Sequence, residues 1–213
     1  MWSRTSWRAF LPDHVALLDR LPNPIGRADV TAAVRECLEQ DAVPAFVAAM
    51  VWGYGRVGYG PFRTARVLTD NPGAPTVLRE AAHRVRRDGG PSAFGWLAEH
   101  RLAWLGVAFA TKFLFYCSQP PATPALVLDR LVQGWLREHA QWRVRLDWHV
   151  ADYQAYVPHD RQLGHRAWTR AVSDGVPDVR GRGHPPARQP MGRPAAHLGD
   201  ARYAAGCAGG RTT

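Results

Sequence analysis

Residues 105–136 read LGVAFATKFLFYCSQPPATPALVLDRLVQGWL, and this stretch decides how the rest of the chain is interpreted. A hairpin-like turn, Leu105-Gly106-Val107, leads into an almost wholly apolar segment that carries Lys112. We predict a helix over 108–118. Asp129 follows Lys112 by seventeen residues, and we expect the chemistry of the protein to lie between these two side chains.

Lys112 is the only lysine of the chain, because all other members of its 27 Lys and Arg residues are arginine. Its neighbours one helical turn away are Ala108, Phe109, Phe115 and Tyr116, so its amine lies beside apolar side chains that water hydrates poorly. Burial disfavours a charged ammonium, and a neutral amine can attack a sugar carbon to form a Schiff base, which arginine cannot do. The alternative is an amphipathic lysine that extends its charged end to solvent.

Asp129 is a lone acidic residue in an apolar run. It either caps a helix that begins at Arg130, or lies inside a helix that is capped by Thr123 with Pro124 at the first position. In both cases the carboxylate needs a partner, since it lies beside buried surface. Arg130 or a helix N-terminus would be an ordinary structural partner, but a short turn over 119–122 could also bring Asp129 to Lys112.

The strings FATKFLFY (109–116) and LVLDRLV (126–132) resemble the helix-hairpin-helix DNA glycosylases, and most closely the bacterial proteins with an 8-oxoguanine DNA glycosylase fold. The resemblance covers roughly Val43 to Tyr156. It departs from the family pattern in the hairpin, where Ala108 stands in place of the usual second glycine.

The resemblance implies that Lys112 is the Schiff-base nucleophile and that Asp129 assists at the sugar. It also implies that Gly106 of the hairpin contacts DNA. The expected activity is that of a base-excision glycosylase and AP lyase that removes an oxidised purine such as 8-oxoguanine. A non-catalytic DNA-binding or interaction module on the same scaffold is the alternative.

Residues 52–63, WGYGRVGYGPFR, are the second informative stretch. The rings of Trp52, Tyr54 and Tyr59 could stack on a base or fill the gap that an extruded base leaves, and Arg56 and Arg63 could bind phosphates. The alternative is a glycine-rich turn whose aromatic rings pack into the core.

Helical periodicity recurs along the chain and no useful strand alternation appears, so the sequence predicts an all-α fold. We divide it into an N-terminal arm (1–28) with a helical pattern over 13–21, a glycosylase-like helical domain (29–157) and a C-terminal tail (158–213). Within the domain, Asp29 and Ser92 are predicted helix caps and Pro44 is predicted to open a helix. The tail is rich in Arg, Gly and Pro and is predicted to be disordered or irregular. It is either a basic DNA-binding tail or non-native sequence that follows a change of reading frame.

The net charge of +9 and the pI near 10.3 favour an anionic partner, and we expect double-stranded DNA with a damaged base. Residues 1–157 contribute 18 basic and 14 acidic residues (+4), whereas 158–213 contribute 9 and 4 (+5), so much of the excess lies in the tail. The three cysteines are far apart and too few for an iron–sulfur or zinc site, and we expect no metal or cofactor. With no signal peptide or membrane span in the sequence, we expect a cytoplasmic, nucleoid-associated monomer.

Overall fold

The computed structural model describes residues 1–118, 120 and 122–163, and this part of the chain is all-α, as predicted. It contains ten α-helices and one short 3₁₀ helix, and no strand occurs within these residues. The helices are α1 (Arg4–Phe10), α2 (Val15–Arg20), α3 (Arg27–Leu38), α4 (Ala42–Tyr54), α5 (Gly60–Thr69), α6 (Ala74–Arg87), α7 (Gly90–Glu99), α8 (Val107–Cys117), α9 (Arg130–His139) and α10 (Val150–Leu163). The search of the described residues for a helix long and apolar enough to cross a membrane found none.

Helix α4 forms the centre of the molecule, since almost every side chain from Ala42 to Val51 is buried. It packs against α3, α5, α6 and α8. A helix that is apolar on all sides must be covered on all sides, so α4 organises the other helices around it. Its C-terminal end, at Trp52 and Tyr54, meets the face of α8 that carries Lys112.

The first 28 residues form two α-helices rather than the single helical pattern predicted over 13–21. Trp2, Trp7 and Leu18 are buried in the same core as α4. Short helices of six or seven residues give little periodicity in a sequence, and here tertiary burial of the tryptophans stabilises them.

Three predicted helix starts are wrong by a few residues. Asp29 does not cap α3; it lies in the first turn, where its carboxylate accepts a hydrogen bond from the backbone N–H of Gly26 at 2.7 Å. Asp41 caps α4 through the backbone N–H of Val43, so Pro44 lies inside the first turn. Proline fits there because backbone N–H groups of the first turn have no partner within the helix. Similarly, Ser92 lies inside the first turn of α7.

Helices α7 and α8 pack against each other and are joined by the loop 100–106. Trp104 in this loop has a positive φ of 70°, which is uncommon for a residue with a side chain. Its indole N–H donates to Asp70 at 2.7 Å, and its carbonyl accepts from Arg63 at 3.2 Å. These bonds attach the loop to α5.

Residues 122–128 are not helical, and α9 begins at Arg130 with Asp129 as its N-cap. Of the two alternatives for Asp129, the cap is therefore correct. Helix α10 runs through Pro158 to Leu163 and thus extends six residues past the predicted boundary at residue 157. The remainder of the predicted tail lies outside the described residues.

Candidate active site

Lys112 lies on the face of α8 that contacts the end of α4. An ideal Cβ at Gly53 would lie 3.3 Å from Cδ of Lys112 and 3.3 Å from the ring of Phe109, so glycine at this position leaves room for both side chains. The ammonium group lies 5.4 Å from the centre of the Phe109 ring. The lysine side chain is only 12% exposed, which excludes the alternative in which its charged end extends into solvent.

Asp129 is the partner of this lysine. Lys112 Nζ donates to Asp129 Oδ2 at 2.7 Å, and the aspartate side chain is 19% exposed. The other carboxylate oxygen accepts from the backbone N–H groups of Leu131 and Val132, each at 3.1 Å. The proximity of the two residues is confirmed, whereas their chemical roles stay a prediction.

The surroundings of Asp129 favour its ionised form. Burial alone would raise the pKa of this carboxyl group, but the charge of Lys112, the hydrogen bond from Lys112 and the two backbone hydrogen bonds together outweigh burial. The pKa of Asp129 is therefore below its ordinary value. One carboxylate thus stabilises both the start of α9 and the ammonium of Lys112.

A cleft of about 420 Å³ opens beside this ion pair. Its lining residues are Tyr59, Ala108, Phe109, Asp129, Arg130, Leu131 and Leu146. Lys112 is not among them and reaches the cleft through its bond to Asp129. Tyr59 and Leu131 are 56% and 65% exposed, so the cleft has a mainly apolar rim that solvent can reach.

Tyr54 and Tyr59 differ in their environment. The ring of Tyr54 is stacked on Phe109 with the ring centres 3.8 Å apart, and Tyr59 packs edge-on against Tyr54 at 5.8 Å. Burial raises the pKa of the Tyr54 phenol to about 12. An ideal Cβ at Gly60 would lie 2.6 Å from Tyr54, so this stack requires glycine at the start of α5. Tyr54 supports the cleft from the core, and Tyr59 is the exposed ring.

Trp52 lies on the other side of Lys112 from this stack. Its ring packs edge-on against Tyr116 at 5.3 Å, and the guanidinium of Arg27 lies 5.8 Å from the ring centre. Tyr116 is 7% exposed, and its buried hydroxyl has no hydrogen-bond partner among the described residues. Since Phe109, Lys112 and Tyr116 recur at helical spacing on α8, the lysine lies between two aromatic pairs.

The remaining predicted DNA contacts lie outside the cleft lining. Arg56 is exposed in the turn between α4 and α5, and Gly106 is exposed as the N-cap of α8. Arg63 is half-buried and bound to the hairpin loop through the carbonyl of Trp104. The structure brings Tyr59 and Asp129 to one cleft and places these three residues on neighbouring turns and helix ends.

No group of three or more His, Cys, Asp or Glu side chains that could hold a metal ion occurs among the described residues. The site combines the amine of Lys112 and the carboxylate of Asp129 with aromatic rings and with Arg130 in the cleft lining. This set can perform nucleophilic attack at carbon with electrostatic stabilisation of a cation.

Comparison with known proteins identifies the family of the chain. Residues 1–177 match the model of a protein family described as "putative 8-oxoguanine DNA glycosylase OGG-like protein". Searches of curated proteins and of solved structures gave no match. The matched region covers most of the chain and includes both Lys112 and Asp129, and the chain therefore belongs to this OGG-like DNA glycosylase family.

Proposed function

We propose that the protein is a base-excision DNA glycosylase with AP lyase activity that removes an oxidised purine, such as 8-oxoguanine, through a Schiff base on Lys112. The observation that carries the proposal is the contact of 2.7 Å between the chain's only lysine and Asp129 at the edge of an aromatic cleft. Membership of the OGG-like family supports the substrate class.

The proposed reaction begins when the ammonium of Lys112 releases one proton to water, and the resulting neutral amine attacks C1′ of the damaged nucleotide. The bond from nitrogen to C1′ forms as the bond from C1′ to the base breaks, and the base leaves with the electron pair and takes up a proton. Opening of the sugar ring then gives a protonated Schiff base. Removal of a C2′ proton and loss of the 3′ phosphate complete the lyase step.

Asp129 has two functions in this proposal. Its carboxylate holds the amine of Lys112 and, as the amine moves to C1′, stabilises the positive charge that develops on the sugar. Its pKa below the ordinary value keeps it ionised at neutral pH, which this function requires. The hydrogen bonds from Leu131 and Val132 fix the carboxylate so that it does not follow the amine.

DNA binding is assigned to exposed and half-buried groups on the turns and helix ends near the cleft. Arg56 and the N-terminus of α8 at Gly106 would contact phosphates, and Arg63 would do so from α5. Tyr59 would contact the extruded nucleotide or the gap it leaves, and Trp52 would pack beside the base. In this proposal the helix-hairpin-helix unit is α7, the loop 100–106 and α8, and the protein acts as a monomer on duplex DNA.

Borohydride trapping tests the proposal directly. The purified chain is incubated with duplex oligonucleotides that carry different modified bases, and borohydride reduces any Schiff base to a stable adduct. We expect trapping with an oxidised purine, and Lys112→Gln should abolish it. Because Lys112 is the only lysine, the N-terminal amine is the sole alternative site of attachment, and peptide mass spectrometry separates the two.

The outcomes distinguish the two functions considered for this scaffold. Trapping that persists in Lys112→Gln would overturn the assignment of the nucleophile. Salt-sensitive binding to DNA without base release or trapping by the wild-type chain would instead support a non-catalytic DNA-binding module.

A further inference from the structure

The segment that leads to Asp129 is held by side chains rather than by regular secondary structure. We call residues 123–128 the strap. The first residue of the strap is bonded to the first residue of α7, since the backbone N–H of Gly90 donates to the carbonyl of Thr123 at 2.8 Å. The backbone N–H of Ala125 donates to the Ser118 hydroxyl at 2.9 Å. An extended segment has no hydrogen bonds of its own, so these partners define its path.

Helix α10 holds the middle of the strap. The hydroxyl of Tyr153 donates to the carbonyl of Leu126 at 2.8 Å and accepts from the N–H of the same residue at 3.0 Å. The hydroxyl of Tyr156 donates to the carbonyl of Val127 at 3.1 Å. Tyr153 is fully buried and its ring is stacked on Phe94 at 4.1 Å, which fixes the position of its hydroxyl.

Thr111 holds the end of the strap. It is completely buried, and its hydroxyl donates to the carbonyl of Val107 at 2.9 Å within α8. The same oxygen accepts the N–H of Leu128 at 3.0 Å. Thr111 directly precedes Lys112, and Leu128 directly precedes Asp129. The hydrogen bond between them therefore links the strap to α8 right beside both site residues.

We propose that Thr111 and Tyr153 are positioning residues that hold Asp129 against Lys112 by fixing the strap. Neither side chain would touch the DNA, and both would act through the aspartate. This inference rests on the proposed function for its catalytic consequence, but the positioning itself is a property of the free protein. It makes the chemistry at α8 depend on α10, which lies more than twenty residues further along the chain.

The test measures how well Lys112 is protected in the absence of DNA. The full chain is treated briefly with an amine acylating reagent at neutral pH, and peptide mass spectrometry gives the labelling of Lys112 relative to the N-terminal amine. Thr111→Val removes the bond to Leu128, and Tyr153→Phe removes both bonds to Leu126 while keeping the ring. Thr64→Val is the matched control, because Thr64 is equally buried and its hydroxyl bonds only to the Gly60 carbonyl in its own helix.

We expect relative labelling of Lys112 to rise by about threefold to tenfold in Thr111→Val and Tyr153→Phe, because a loosened strap lets the amine leave its carboxylate and reach the reagent in solvent. Thr64→Val should label like the wild type, and Thr111→Ser should restore protection. Wild-type protection in both Thr111→Val and Tyr153→Phe would overturn the inference. If Thr111→Val does not fold, Tyr153→Phe still decides between these results.

A second measurement connects positioning to catalysis. Under single-turnover conditions, Thr111→Val should slow formation of the trapped adduct by about tenfold or more while DNA affinity stays unchanged, because misplacement affects the reaction and not binding. Equal rates in Thr111→Val and Thr64→Val would contradict the catalytic consequence. A wild-type chain that forms no adduct at all would contradict the proposed function, whereas the labelling result would still decide whether the strap positions Asp129.

Discussion

The ion pair between Lys112 and Asp129 is asymmetric, because its two members have different alternative partners. Without the lysine, Asp129 would keep two backbone hydrogen bonds and the favourable N-terminus of α9. Without the carboxylate, the ammonium of Lys112 would remain between aromatic rings with only 12% of its side chain exposed. A buried charge that loses its partner is costly.

We therefore predict unequal effects on folding. Asp129→Asn should lower the free energy of unfolding by about 2–3 kcal/mol, because an amide keeps the helix cap but leaves the ammonium unpaired. Lys112→Gln should cost only about 1 kcal/mol, as is typical of one lost hydrogen bond. Urea denaturation measures both, and the double variant should cost less than the sum of the single variants. Equal costs for the two single variants would contradict this asymmetry.

The pKa of Asp129 gives a second prediction at this scale. Since the pKa is lower in the folded protein, the folded state binds fewer protons than the unfolded state in the acid range. The stabilising contribution is present above the ordinary pKa of an aspartate and disappears as the pH falls through the folded value. The difference in unfolding free energy between wild type and Lys112→Gln should thus shrink on acidification. A difference that grows in acid would contradict the ion pair.

Candidate site residues could be predicted from the sequence where a residue type was rare in the chain or in its surroundings. Lys112 was identified because one lysine occurs among arginines, and Asp129 because one acid interrupts an apolar run. Composition does not say which way an aromatic ring points. The sequence predicted the same role for Trp52, Tyr54 and Tyr59. In the structure Trp52 packs beside Tyr116, Tyr54 lies in the core, and Tyr59 lies on the rim of the cleft.

Among the structural elements, the strap is the one that local sequence could not describe. Its partners are side chains up to 29 residues away, such as Tyr156, and no periodic pattern records such contacts. Helix α6 shows the opposite case, since Gly73 and Pro75 mark its start in the sequence and the helix begins at Ala74. Helices with local signals were predictable, and a segment defined by distant hydroxyl groups was not.

The contact between α7 and the strap gives a prediction at the scale of elements. In Gly90→Ala, an ideal Cβ would lie 2.5 Å from Cα of Ala125, and neither backbone can move without displacing the strap. We expect a loss of about 1–3 kcal/mol in unfolding free energy, as for other overpacked positions. Denaturant unfolding followed by circular dichroism measures this loss.

Gly134→Ala is the matched control for that substitution. Gly134 lies inside α9, and apart from its chain neighbours and the backbone of its own helix no atom of the described residues lies within 4 Å of its ideal Cβ. Alanine in a helix interior is more favourable than glycine by about 0.5–1 kcal/mol, so this variant should be slightly more stable than the wild type. Destabilisation by both substitutions would mean that the cost at Gly90 is not specific to the strap.

At the scale of the whole molecule, the region that matches the family and the region that carries the excess positive charge are not the same. The family match ends at residue 177, which is twenty residues beyond the predicted domain boundary at 157. Residues 178–213 contain six arginines and two aspartates and thus contribute +4 of the net +9. The matched region contains both site residues, whereas almost half of the excess charge follows it.

We predict that a chain that ends at Pro177 keeps Lys112-dependent trapping at low salt. Its DNA affinity should be weaker and should depend less on salt, with the slope of log affinity against log salt reduced by about 0.9 for each lost phosphate contact. Fluorescence anisotropy at several salt concentrations measures the slope. Loss of trapping by the shortened chain at saturating protein would show that residues after 177 are needed for the chemistry.

The bond between Lys112 and Asp129 also affects how the amine reacts with other molecules while no DNA is bound. Small aldehydes from metabolism react with unprotonated amines, and an enzyme whose nucleophile stood free in solution would be gradually poisoned by them. Here the proposed nucleophile, Lys112, is screened by Phe109, and its charge is paired with the Asp129 carboxylate. We expect glyoxal to modify Lys112 more slowly in the wild type than in Asp129→Asn, as measured by peptide mass spectrometry, so the contact proposed to position the amine also protects it.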